Sequence, residues 1–75
     1  MNRYGVILFL TSSSAFRAEC VLKDAGFECE LIPTPRAFSA DCGVAGRFDW
    51  SKADEVTEII RQAGIKIDAM HLMPA

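Results

Sequence analysis

Between Tyr4 and Leu10 the chain runs Tyr-Gly-Val-Ile-Leu-Phe-Leu, apolar at odd and even positions alike and rich in β-branched and aromatic side chains. That pattern predicts a central strand with both faces covered. Thr11 and Ser12–Ser14 follow as candidate N-caps, since their side-chain oxygens can accept the free N–H groups that open a helix. A helix from about Ser14 to Ala25 places Ala15, Ala18, Val21, Leu22 and Ala25 on one stripe, with Phe16 and Cys20 on the opposite flank. Gly26 ends it as a left-handed residue. From Phe27 to Ile32 the period changes to two, Phe27, Cys29 and Leu31 alternating with Glu28 and Glu30, which predicts a second strand, wet on one face.

Pro33-Thr34-Pro35-Arg36 interrupts the pattern, because two prolines remove two ladder donors. The loop that begins there continues to Gly43, longer than the usual connection of about 4–6 residues, and loops of that length are often functional. Val44 to Phe48 predicts a third strand, and Ser51 and Asp54 suit the N-cap and capping-box positions of a second helix. Val56, Ile59, Ile60 and Ala63 form its apolar stripe, Gly64 closes it, and Ile65 to about Leu72 forms a last strand. The order β-α-β-β-α-β is the α+β, ferredoxin-like arrangement: a four-stranded antiparallel sheet with two helices on one face, as a single domain over residues 1–75. Because the first strand is apolar on both sides, the face away from the helices needs a cover. A partner sheet, a second copy of the chain forming a homodimer, or the long loop folded back would each supply one.

Composition narrows the classes of function. With 51% apolar and 24% charged residues the chain should fold, and with 8 Lys+Arg against 10 Asp+Glu it lacks the basic excess of a nucleic-acid binder. The apolar run at Tyr4–Leu10 is far short of the roughly 20 residues of a membrane-spanning helix. Arg3, that run and the small residues Ser12–Ala15 outline a very short signal segment, but its apolar core is minimal and cleavage would remove the best strand. A reduced, cytoplasmic protein is the expectation.

Cys20, Cys29 and Cys42 are an odd set whose spacings fit neither a disulfide framework nor a zinc ribbon. A soft metal site would need all three together with His71, the single histidine, and no ligand pair has the short spacing usual in structural zinc sites. No cofactor signature is present: the turn after the first strand lacks the glycines of a phosphate-binding loop. Cys29 falls on the apolar parity of its strand, Cys20 on the outer flank of its helix, and His71 is assigned no role. Cys42 alone lies in a loop, before Gly43, where backbone N–H groups can approach an anion. Arg36 could fold back to favour the thiolate, whereas Asp41 disfavours it. The alternative reading makes Cys42 a small hydrophobe at the start of the third strand, in a non-catalytic interaction module.

Tyr4-Gly5-Val6-Ile7-Leu8-Phe9, Arg17-Ala18-Glu19, Leu31-Ile32-Pro33 with Pro35-Arg36, and Ser39 with Cys42-Gly43 resemble the selenium/sulfur carrier-like family. The proline-arginine pair followed by Ser and Cys-Gly is the most specific part. The resemblance implies a carrier rather than an enzyme, with Cys42 holding a persulfide or perselenide and Pro35, Arg36, Ser39 and Gly43 shaping its loop. It also implies two protein partners: a donor of the cysteine desulfurase or selenocysteine lyase type, and an acceptor.

Overall fold

A computed structural model of the chain describes residues 3–36, 38 and 43–73. Along them run β1 (Tyr4–Phe9), α1 (Ser12–Asp24), β2 (Cys29–Pro33), β3 (Val44–Asp49), a 3-10 turn (Trp50–Lys52), α2 (Ala53–Gln62) and β4 (Ile67–Leu72). The strands form one sheet in the order β2-β3-β1-β4, with every adjacent pair antiparallel. This is the expected ferredoxin-like βαββαβ arrangement, and β1, the strand apolar on both sides, lies inside the sheet.

Local chemistry sets the element ends. Thr11 caps α1, its hydroxyl accepting from Ser14 N–H at 3.1 Å, so the helix starts at Ser12, two residues before the expected position. Gly26 at φ +87° and Gly64 at φ +73° end the helices in the left-handed region. Phe27 N–H bonds Leu22 C=O at 2.9 Å and Ile65 N–H bonds Ile60 C=O at 3.2 Å, the six-to-one closure of a helix C-terminus. Ile65 is thereby spent on closing α2, and β4 starts at Ile67. The cap expected at Ser51 moves upstream: Asp49 accepts from both the N–H and the hydroxyl of Ser51 and opens the 3-10 turn, while Lys52 before α2 makes no side-chain cap bond. A carboxylate is the stronger acceptor of the two. Pro33 belongs to β2 after all, because β2 is an edge strand, where a missing ladder donor is tolerated.

Each face of the sheet carries a core. Toward the helices, Ile7 and Phe9 of β1 pack with Ala15, Ala18 and Leu22 of α1, Val56 and Ile60 of α2, and Cys29, Phe48 and Ile65. On the other face Val6 is 0% and Leu8 2% exposed, clustered with Ala45 and covered by Ile32, Phe38, Ala69 and Met73. Three covers were weighed from the sequence, and one side chain from the long loop, Phe38, does pack on this face. The same face has a polar half. Arg47, opposite Glu30 and Val6 in register, binds the Glu30 carboxylate at 2.6 Å, and its guanidinium lies over the Tyr4 ring, 4.6 Å from the centroid.

Candidate functional site

The connection between β2 and β3 leaves and rejoins the sheet at a defined neck. Pro33 pairs with Val44, and one step further out Thr34 N–H donates to Gly43 C=O at 3.0 Å. The prolines stiffen the outgoing arm, and Phe38 N–H donates to Pro35 C=O at 2.9 Å, closing a turn that leaves Arg36 exposed. Among the described residues no carboxylate lies within ion-pair distance of the Arg36 guanidinium. Gly43 is exposed, and a Cβ built on it would meet nothing within 4 Å among the described residues. Packing against the described residues therefore does not require glycine at this position. Cys42 and Ser39 lie outside the described residues, so the approach of Arg36 to the Cys42 thiol carries no distance.

Topology gathers several groups at the rim from which this loop springs. Leu8 pairs with Ala45 and with Ala69, so the end of β1 and the starts of β3 and β4 lie together. The N-terminus of α1 follows at the same rim, beside a hollow of about 420 Å³ lined by Thr11, Ser14, Arg17 and Lys66 among others. The Arg17 guanidinium donates to Ala63 C=O at 2.9 Å, tying α1 to the end of α2. A larger hollow of about 650 Å³ is lined by Glu19, Lys23, Cys29 and Arg47 among others.

The other cysteines occupy unlike surroundings. Cys29 is 4% exposed against the helices, and burial pushes its thiol up to about 11, with Glu19 adding to the shift and Lys23 opposing it. A thiol so protonated and enclosed is a poor nucleophile near neutral pH. Cys20 is exposed on the outer side of α1, as its place on the helical wheel predicts. Register puts Cys29 opposite Phe48 on the helix-covered face and His71 opposite Val6 on the other, so the sheet separates two members of the conceivable metal set. Among the described residues no group of three or more His, Cys, Asp or Glu side chains could hold a metal ion.

One feature escaped the sequence reading. His71, given no role there, stacks on Phe38 with ring centroids 4.6 Å apart and planes 3° from parallel. Two signals were available: Phe38 is the one aromatic residue between Thr34 and Gly43, and His71 stands on alternate parity to Met70 and Leu72. Among the described residues no helix is long and apolar enough to cross a membrane.

Comparison with curated proteins and with solved structures finds no match to the chain. A family model described as "Putative Se/S carrier protein-like" matches residues 4–72, a span that takes in all the strands and helices above and the whole loop from Thr34 to Gly43. A match over that share of the chain assigns it: the protein belongs to the Se/S carrier protein-like family.

Proposed function

We propose that the protein is a chalcogen carrier in which Cys42 is the carrying thiol. The observation that carries this reading is the family match over residues 4–72, within which Cys42 is the one cysteine on the long loop. The chemistry of the other thiols supports it, because Cys29 is enclosed and held protonated, and Cys20 stands on an open helix flank. The surroundings of the loop support it as well. Arg36 is exposed on the outgoing arm, and Arg17, Lys66 and the positive end of α1 lie at the same rim, a field that favours a thiolate over a thiol.

Loading is thiol exchange without net oxidation. The Cys42 thiolate attacks the terminal sulfur of a donor's cysteine persulfide, a new S–S bond forms to Cys42, and the donor's own S–S bond breaks. The donor cysteine leaves as a thiolate with the bonding pair, and the proton stays on the transferred sulfur. In delivery an acceptor nucleophile attacks that outer sulfur and returns the Cys42 thiolate. Selenium follows the same path as a perselenide. Pro35 and Arg36 on one arm and Ser39 and Gly43 on the other shape the loop, and a glycine at the thiol leaves a partner's backbone room to approach.

Native alkylation separates this reading from a binding module with a structural cysteine. With Cys20→Ser removing the exposed thiol of α1, iodoacetamide is expected to modify Cys42 rapidly in the folded protein and Cys29 only after unfolding. If Cys42 resists until denaturant is added, the thiol is structural and the carrier reading fails.

A further inference from the structure

We infer that His71 is a positioning residue for Phe38 of the cysteine-bearing loop, its imidazole holding that ring on the second face of the sheet. The loop leaves the sheet from β2 at one edge, whereas His71 stands on β4 at the other, with β3 and β1 between. Phe38 therefore reaches across about three strand spacings, ~14 Å, to make its contact. The contact is specific in geometry: the rings are near parallel at 4.6 Å, and the Phe38 side chain also packs on the cluster of Val6, Leu8 and Ala45. The neck bond from Thr34 to Gly43 fixes where the loop starts and ends, and the stack fixes Phe38 between them. An anchor in place before any partner arrives lowers the ordering cost of docking.

The role of His71 in carriage rests on Cys42 being the carrying thiol. The pin itself rests on the stack alone, so the two can be tested apart.

Trypsin reads the pin directly, because Arg36, after which it cuts, lies two positions before Phe38. Cleavage at a local site follows the population of the opened segment. Loss of the aromatic contact in His71→Ala is expected to raise the rate of nicking after Arg36 by between about two- and tenfold. His71→Phe, which keeps a ring on β4, is expected to restore slow nicking. In nuclear magnetic resonance spectra the carbon-bound ring protons of His71 should be displaced by the Phe38 ring current and return toward ordinary positions in Phe38→Leu. Urea unfolding of each variant separates local opening from global loss of stability. Nicking in His71→Ala as slow as in the parent protein, nicking in His71→Phe as fast as in His71→Ala, or undisplaced His71 protons would each overturn the pin. Persulfide loading is scored separately. A loop that behaves as pinned, on a protein whose Cys42 accepts no sulfur, overturns the carrier reading and leaves the pin standing. A loaded Cys42 with nicking indifferent to residue 71 overturns the pin alone.

Discussion

A Cβ placed on Gly5 would stand 2.5 Å from Trp50 Cε3 and 2.7 Å from Phe48 Cζ, whereas one placed on Gly43 would meet nothing among the described residues. The two glycines thus differ: Gly5 lets aromatic rings close over the sheet, while no described residue crowds Gly43. Gly5→Ala should cost about 1–3 kcal/mol in urea unfolding, as overpacking does. Gly43→Ala should leave stability within about 0.5 kcal/mol and yet slow sulfur loading of Cys42. Equal destabilisation by both changes would mean that Gly43 is structural. Residue-scale readings from the sequence did well where one parity or one wheel position decided the matter, as for Cys29 and Cys20. They failed for His71, because its partner lies 33 positions away in the loop and no periodicity links the two.

The junction of β3 and α2 shows how an element's end depends on competition between nearby acceptors. Asp49 is held below its ordinary 3.8, first by the Ser51 hydroxyl, then by the Ser51 backbone N–H, with Lys52 assisting and desolvation opposing. A carboxyl whose folded-state pKa lies below its unfolded value contributes stability that is present above the unfolded value and lost as pH falls through the folded one. The stability gap between the parent protein and Asp49→Asn is therefore expected at neutral pH and should shrink below about pH 4. Urea midpoints measured across that range check it, and a gap unchanged at about pH 3 would remove the cap from the account. Element type and order were legible because the two-sided apolar run of β1, period 2 in β2 and period 3.6 in α1 and α2 differ plainly. The boundaries were less so. Whether Ser51 or Asp49 caps depends on which acceptor the backbone presents, and whether Pro33 ends a strand depends on whether that strand is an edge.

At the scale of the molecule the sheet divides two cores, and the second is covered in part by a loop side chain, Phe38, that also stacks on the opposite edge strand. The need for such a cover was readable from the two-sided apolarity of β1. The part Phe38 takes in it was not, since no periodicity links the loop to that face. The most direct test of the whole account is intact-mass analysis after incubation with a cysteine desulfurase and cysteine, or with a selenocysteine lyase and selenocysteine. The account predicts one added sulfur or selenium, mapped to Cys42, removed by a thiol reductant and absent in Cys42→Ser. An unchanged mass with every donor, or an added atom that persists in Cys42→Ser, would contradict it.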